Sequence, residues 1–282
     1  MGETIFKING VKICTEAFGN PDHPAVLLIM GATASMVWWD AEFCQKLAGK
    51  GFFVIRYDNR DVGRSTTYEP QTIHYTFSDL VDDAFGVLDS YHIQKAHFAG
   101  MSLGGMIAQV AALRQPGRVL TVTCLSSGIF EDDPSLPSID PRIIDFQAKA
   151  IAEVNWEDKQ SVADYLVSGW RLLNGSKHPF LEDRAYQLAH MEIERANNLL
   201  SMFNHALLKG GEEYYGKTSE IKAPVLIIHG TEDLILPYPH ALAIKKALPD
   251  ATLITLEGVG HEIHFNEWDF IVDRMAAHFT NK

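Results

Sequence analysis

Ser102 lies at the centre of a short pattern that could make it a nucleophile. The segment Gly100-Met101-Ser102-Leu103-Gly104 matches G-x-S-x-G, the pattern of a serine on a tight turn between a strand and a helix. The positions two before and two after such a serine need glycine, because the two backbones pass close to each other there. The pattern alone is weak, since about one random chain in ten of this length would contain it. Its place between an apolar run and a helix start strengthens it.

Asp233 and His261 could complete the proton chemistry that a serine nucleophile needs. A histidine must accept the hydroxyl proton, and a carboxylate must orient the imidazole and stabilise its charged form. After a serine in this pattern, the acid and then the histidine follow along the chain. Asp233 follows the apolar run 225–229, and His261 follows the run 252–256. We therefore predict a catalytic triad of Ser102, Asp233 and His261.

Other acids and histidines compete for these roles. Glu131 and Asp132 follow the preceding apolar run and are alternatives to Asp233, which we favour. His264 is the nearest rival of His261. We expect His264 to lie within the following helix, too far from the loop tip to reach the serine.

Neither a metal nor a cofactor is predicted. The segment His261-Glu262-Ile263-His264 lacks the H-E-x-x-H spacing that directs two histidines from one helix face toward zinc. Cys14, Cys44 and Cys124 are widely spaced and odd in number, which argues against a disulfide framework or a thiolate zinc site. A triad supplies proton transfer and charge stabilisation by itself.

Two backbone N–H groups could form an oxyanion hole. One donor in such a site comes from the residue after the nucleophile, and the other comes from a loop after an earlier strand. Leu103 follows Ser102, and Ala32 follows the apolar run 25–30. We predict that their N–H groups bind the negatively charged oxygen of the reaction intermediate.

Apolar runs alternate with helical patterns along most of the chain. The chain opens with two runs joined by Asn9-Gly10, which favours a two-residue hairpin turn. Runs that suit parallel strands buried on both faces follow at 25–30, 52–57, 96–101, 119–125, 225–229 and 252–256. A helix start at Thr76, with Asp79 three residues later, resembles a capping box. The alternation predicts an α/β fold with a mostly parallel central sheet and helices on both faces.

The alternation stops between residues 132 and 222, which we call the cap segment. Helical stretches are predicted there around 142–154, 162–173 and 182–208, without convincing strands. We therefore expect residues 1–131 and 223–282 to form the core, and the cap segment to be a helical subdomain inserted over the site. Trp170 lies in the cap segment, and Trp38 and Trp39 follow the oxyanion loop. We predict that these three tryptophans bind substrate.

Composition excludes several classes of partner. The formal net charge of −12 with scattered Lys and Arg argues against nucleic acid as a partner. Uncharged apolar runs stay well short of the roughly twenty residues that span a bilayer, so no membrane association is expected. The first residues lack the basic stretch and apolar run of a signal peptide, so we expect a cytoplasmic location.

A family resemblance now follows from these motifs. Residues 56–65, RYDNRDVGRS, are similar to the D-x-R-G-x-G-x-S segment of the α/β-hydrolase fold family, with Asp61 in place of its first glycine. Together with Met30-Gly31, where many relatives carry His-Gly, they resemble the aclacinomycin methylesterase-like branch most closely. The resemblance implies the α/β-hydrolase fold and carboxylic ester cleavage, with the nucleophile, acid and base at Ser102, Asp233 and His261. We expect residues 58–65 to brace the loop beneath the site.

These observations predict a serine hydrolase that cleaves a small-molecule carboxylic ester through an acyl-enzyme. A methyl ester of a hydrophobic or polycyclic acid is one such substrate. Cofactor-free perhydrolases, peptidases of the proline iminopeptidase type and carbon–carbon bond hydrolases keep the same serine triad and are alternatives. A non-catalytic small-molecule receptor on the same fold is an alternative of a different class.

Overall fold

A single mixed sheet organises the protein. The computed structural model describes residues 2–280, apart from the side chains at 151 and 152, and within them eight strands form one sheet. The strands are β1 (Thr4–Ile8), β2 (Val11–Phe18), β3 (Ala25–Ile29), β4 (Phe53–Tyr57), β5 (Ala96–Met101), β6 (Val119–Leu125), β7 (Val225–Gly230) and β8 (Thr252–Leu256). Their order is β1-β2-β4-β3-β5-β6-β7-β8, and the six strands from β3 to β8 are mutually parallel. The predicted mostly parallel sheet is confirmed.

Helices cover both faces of the sheet. The α-helices are α1 (Ala41–Gly49), α2 (Phe77–Ser90), α3 (Leu103–Arg114), α4 (Pro141–Glu153), α5 (Lys159–Leu173), α6 (Glu182–Arg195), α7 (Pro239–Ala247) and α8 (Trp268–Thr280). Successive residues of β3 alternate between the two faces, as a pleated strand requires. Leu27 packs in the cluster that contains α2, α3 and α7, whereas Leu28 packs with α1 and α8.

Two predicted turn and cap features are present. Asn9 and Gly10 both have positive φ, 48° and 84°, as a type I′ hairpin turn requires, and they join β1 to β2. At the start of α2, the Thr76 side chain accepts from the Asp79 N–H while the Asp79 carboxylate accepts from the Thr76 N–H. This reciprocal capping satisfies two N–H groups that have no partner inside the helix.

The cap segment lies between β6 and β7 and contains α4, α5 and α6. Its own small apolar cluster includes Ala163, Val167 and Ala189. The helical stretch predicted over 182–208 is interrupted, because α6 ends at Arg195 and a 3₁₀ helix follows at Leu199–Leu207. The extended link is fixed by Asn197, whose backbone and side-chain N–H groups both donate to residues of the 56–65 segment at 2.9 Å.

Buried charges hold residues 56–65 in place. The fully buried Asp58 carboxylate pairs with the Arg195 guanidinium of the cap at 2.9 Å. Arg60 forms a second buried pair with Asp83 of α2 at 2.6 Å. Removing one member of such a pair would leave an uncompensated buried charge, so these contacts bind the segment to both the cap and the core.

Asp61 stands where the related motif has glycine, and it adopts a left-handed conformation with φ of 68°. This backbone region is unfavourable for most side chains, and aspartate is among the better tolerated. Its carboxylate accepts hydrogen bonds from the Tyr68 N–H at 2.7 Å and the Tyr75 hydroxyl at 2.9 Å. These bonds offset the conformational cost that glycine would avoid.

Candidate active site

Ser102 occupies a strained turn between β5 and α3. Its φ and ψ of 53° and −122° lie outside the regions that L residues normally adopt. A Cβ atom on Gly100 would lie 2.0 Å from the Gly104 oxygen, and one on Gly104 would lie 2.2 Å from the Ile29 oxygen. Only glycine fits at these two positions, which gives the physical reason for the motif.

Hydrogen bonds to neighbouring strands hold the turn. The Ser102 N–H donates to the Leu125 oxygen at 3.0 Å, and the Ser127 hydroxyl donates to the Ser102 oxygen at 2.8 Å. Both partners lie at or beyond the end of β6. Ser102 therefore has its backbone fixed from the adjacent strand, and it lines a cavity.

His261 and Asp233 come together at the same edge of the sheet. His261 Nδ1 donates to Asp233 Oδ2 at 2.7 Å, while Asp233 Oδ1 accepts from the N–H groups of Ile235 and Leu236 at 2.9 and 2.8 Å. The carboxylate is buried. This arrangement fixes the imidazole with its Nε2 free to exchange a proton. Asp233, rather than Glu131 or Asp132, is the acid that the fold brings to His261.

A second histidine, His229, contacts the same carboxylate. Its Nε2 lies 3.3 Å from Asp233 Oδ2 and donates to the Leu236 oxygen at 2.7 Å. Burial alone would raise the pKa of Asp233, but the charges and hydrogen bonds of His261 and His229 outweigh it and hold that pKa well below its usual range. Sequence reasoning missed His229. Its signal is a histidine in an otherwise apolar strand, four residues before the acid.

The loop that contains Gly31 and Ala32, called the oxyanion loop, lies directly against Ser102. A Cβ atom on Gly31 would lie 3.0 Å from the Ser102 Cβ, so the backbone of this loop passes beside the Ser102 side chain. Neither the Ala32 nor the Leu103 N–H has an acceptor within residues 2–280. Leu103 is the first residue of α3, where N–H groups lack intrahelical partners and favour negative charge. Both N–H groups are therefore available to an oxyanion.

His205 of the cap segment supports the oxyanion loop. Its Nδ1 accepts from the Thr33 N–H at 2.9 Å, and its Nε2 donates to the Arg60 oxygen at 2.8 Å. Burial lowers the pKa of His205 and keeps the ring neutral, as this pattern of one donor and one acceptor requires. This loop contains Met30-Gly31 in place of the His-Gly pair noted above, and a histidine from the cap contacts it.

One cavity of about 260 Å³ contains Ser102, His261 and Ala32 on its wall. Apolar side chains from the cap and core form much of the remainder, including Ile139, Ile143, Phe146, Leu166, Met202 and Phe203. The polar contributions include Thr33 and Glu192. Such a cavity suits a largely apolar molecule with a few polar groups.

The three tryptophans predicted to bind substrate have different positions. Trp38 and Trp170 line the cavity and pack edge to face, with ring centroids 4.7 Å apart. Trp39 does not line the cavity: it is fully buried and packs against Phe43 in the core beneath the sheet. The prediction for Trp39 is wrong, because adjacent residues around the short 3₁₀ turn Met36–Trp38 point in different directions.

His264 lies in a different environment from that predicted. It precedes the helix, because a 3₁₀ turn begins at Phe265 and α8 begins at Trp268. Its ring stacks on His178 with centroids 4.6 Å apart, and its Nε2 donates to the Pro179 oxygen at 3.2 Å. His264 therefore binds the cap to the core, and His261 is the histidine beside the acid.

Neither a metal-binding cluster nor a membrane-spanning helix is present within residues 2–280. Within them, no group of three or more His, Cys, Asp or Glu side chains has the arrangement of a metal site. None of the helices in this part of the chain has the length and apolar character to cross a membrane. Cys14, Cys44 and Cys124 are all buried free thiols.

Comparison with known proteins identifies the family. Residues 24–267 match the family model described as the alpha/beta hydrolase fold. The chain belongs to the α/β hydrolase fold family. Among its relatives are the rhodomycin D methylesterases DauP of Streptomyces sp. (strain C5) and DnrP of Streptomyces peucetius. Each is 31% identical over 95% of this chain and 95% of its own length.

Solved structures of α/β hydrolases show the same fold. The esterase RhEst1 from Rhodococcus sp. ECU1013 superposes with a TM-score of 0.80 at 18% identity, covering 100% of this chain and 99% of its own. At that identity the likeness concerns the fold. Family membership and the methylesterase relatives together support a hydrolase of the carboxylesterase type.

Proposed function

We propose that this α/β hydrolase cleaves a carboxylic ester, with Ser102 as nucleophile, through an acyl-enzyme intermediate. One observation carries the proposal. Ser102, on its strained turn, faces the same cavity as His261, whose Nδ1 is held by the buried Asp233 carboxylate. These three groups provide the nucleophile, the proton carrier and the orienting charge that acyl transfer needs.

The reaction follows from the positions of these groups. His261 Nε2 accepts the Ser102 proton as Oγ attacks the ester carbonyl carbon. The N–H groups of Ala32 and Leu103 stabilise the resulting oxyanion. Protonated His261 then gives its proton to the leaving alkoxide, the carbon–oxygen bond breaks, and the alcohol departs. A water molecule, deprotonated by His261, attacks the acyl-serine and releases the carboxylic acid and Ser102.

We propose a methyl ester of a hydrophobic or polycyclic acid as the substrate. The largely apolar wall of the nucleophile cavity supports a hydrophobic acid half. The two relatives at 31% identity are named as rhodomycin D methylesterases, which supports methanol as the leaving group. The wall made by Trp38, Trp170 and Phe146 offers aromatic surface to a planar ring system.

Methanol release from a panel of methyl esters tests the proposal. The panel varies the acid from short aliphatic to bicyclic aromatic, and a second panel varies the alcohol with one acid held constant. We expect the highest kcat/KM for methyl esters of aromatic acids. In Ser102→Ala, we expect kcat/KM for the same esters to fall to less than one-thousandth of the wild-type value. The matched control is Ser135→Ala, which changes an exposed serine. Binding of these esters without turnover would instead indicate a receptor, and preferred cleavage of amides or carbon–carbon bonds would indicate another hydrolase class.

A further inference from the structure

Glu192 is an acidic residue on the wall of the nucleophile cavity, and the proposed reaction does not use it. It lies on α6 in the cap, is only 6% exposed, and lines the same cavity as Ser102 and His261. Acidic residues are seldom buried to this extent without a partner charge. Its position in a largely apolar wall therefore needs a physical explanation.

Ser35 is the hydrogen-bond partner of the Glu192 carboxyl group. The Ser35 N–H donates to Glu192 Oε1 at 3.0 Å, and the Ser35 hydroxyl also interacts with the carboxyl group. A carboxylate has two oxygens with about four acceptor sites. Because Glu192 lines the cavity, a bound molecule can reach acceptor capacity that Ser35 leaves unused.

Within residues 2–280, no cation forms an ion pair with this carboxyl group. The nearby Arg195 is committed to other acids, Asp58 at 2.9 Å and Glu3 at 2.6 Å. Burial, with a contribution from the Asp58 charge, raises the pKa of Glu192 to about 7, against the hydrogen bonds from Ser35 and the charge of Arg195. The group therefore changes between a neutral acid and a carboxylate near neutral pH.

We propose that Glu192 is a specificity-determining residue that hydrogen-bonds a hydroxyl group on the acid half of the substrate. This rests on the proposed function, because the acid half is the part that must occupy the cavity beside Ser102 and the oxyanion donors. A hydroxyl suits both forms of the carboxyl group, since it accepts from the neutral acid and donates to the carboxylate. A carbonyl pairs only with the neutral acid, and an ammonium pairs only with the carboxylate.

The test compares methyl 2-naphthoate with methyl hydroxy-2-naphthoates that differ in the position of the hydroxyl. In the wild-type protein, we expect at least one isomer to have a kcat/KM about 10- to 100-fold above that of methyl 2-naphthoate, the effect of one hydrogen bond to a charged group. This preference should increase between about pH 6 and about pH 8, where Glu192 ionises and a phenol stays neutral. Any effect of pH on the hydrolysis steps that both esters share cancels in the ratio of their kcat/KM values. Arg195 stays charged and Tyr165 stays neutral over this range, because the pKa of each is raised above its ordinary value. The Asp58 carboxylate is paired with Arg195.

Two variants separate recognition from support of the loop. Glu192→Gln keeps a carbonyl for the Ser35 N–H but cannot ionise, so we expect its preference to be independent of pH and about tenfold below the wild-type value at pH 8. In Glu192→Met, the ratio of kcat/KM between the hydroxylated ester and methyl 2-naphthoate should be close to one at every pH. The matched control is Glu194→Gln on the exposed side of the same helix, for which the wild-type ratio and its pH dependence are expected.

Binding to Ser102→Ala, measured by calorimetry with the same esters, makes the test independent of turnover. A preference for a hydroxylated ester that disappears when Glu192→Met is added supports the proposal, even if the wild-type protein hydrolyses none of the panel and the proposed function fails. The proposal is overturned if every hydroxylated isomer is hydrolysed or bound no better than methyl 2-naphthoate. Hydrolysis of these esters without such a preference leaves the proposed function intact. Stronger preference for an aminomethyl analogue than for every hydroxyl isomer also overturns it, because the ligand group would then be a cation.

Discussion

The two walls of the nucleophile cavity are held in different ways. On the core side, backbone geometry sets the positions: Ser102 sits where glycine positions allow strand and helix to approach to van der Waals contact. On the cap side, buried polar side chains set the positions, with Arg195 paired to Asp58 and His205 bonded to the oxyanion loop. We therefore expect changes in the core wall to affect the rate for every substrate, and side-chain changes in the cap wall to alter selectivity.

The acid of the core wall should give the largest effect. We expect Asp233→Asn to reduce kcat by about 10⁴-fold with the fold intact, because an amide favours the wrong imidazole tautomer and cannot stabilise the imidazolium. Steady-state kinetics with one methyl ester, together with thermal unfolding, measures this. Glu131→Gln and Asp132→Asn are the matched controls, with much smaller effects expected. If either control lowered kcat by about 10⁴-fold while Asp233→Asn kept a kcat near the wild-type value, the catalytic acid would be the one that follows β6.

His205 tests whether the cap also supports the chemistry. We expect His205→Leu to lower kcat about tenfold for every ester alike, because the Thr33 N–H loses its acceptor and the adjacent Ala32 donor is less well positioned. The ratio of kcat/KM between two esters should stay unchanged. A change in that ratio with constant kcat would show instead that His205 contributes to substrate selection. His190→Leu, on the exposed part of α6, is the matched control.

Trp170 and Trp39 offer a direct comparison of cavity and core. Trp170→Ala should change the ratio of kcat/KM between short and bulky esters, since each methylene of contact contributes roughly 1–3 kcal/mol. Trp39→Ala should lower the free energy of unfolding by about 3–5 kcal/mol and leave that ratio unchanged. Kinetics with two esters and chemical denaturation of both variants measure these effects. The same ratio in both variants would mean that Trp170 is a structural residue.

Glu192 should also make a pH-dependent contribution to stability. Its folded-state pKa, about 7, lies above the ordinary value of 4.5, so its contribution is present below about pH 4.5 and is lost as the pH rises through 7. The shift corresponds to roughly 3 kcal/mol. We therefore expect Glu192→Gln to gain stability relative to the wild type between pH 5 and pH 8, as followed by urea unfolding. A constant difference across this range would contradict a buried, titrating Glu192.

The sequence predicts the core wall better than the cap wall, and the reason is physical. Apolar runs and Gly100, Ser102 and Gly104 are local signals, because strand burial and close backbone approach depend on neighbouring residues in the chain. The roles of His205 and Glu192 depend on contacts with a loop more than 150 positions away. Local patterns do not encode such contacts. The error at Trp39 has a similar origin, since the direction of two adjacent indoles depends on a single short turn.

Covalent labelling of Ser102 tests the central claim most directly. An organophosphonate that mimics the tetrahedral intermediate is added until activity is lost, and the modified peptide is identified by mass spectrometry. We expect one adduct per chain, on Ser102, because this serine combines the strained turn, the histidine base and the oxyanion donors. Asp233→Asn should slow the labelling at the same residue. An adduct at another residue, with activity lost and Ser102 unmodified, would contradict the account.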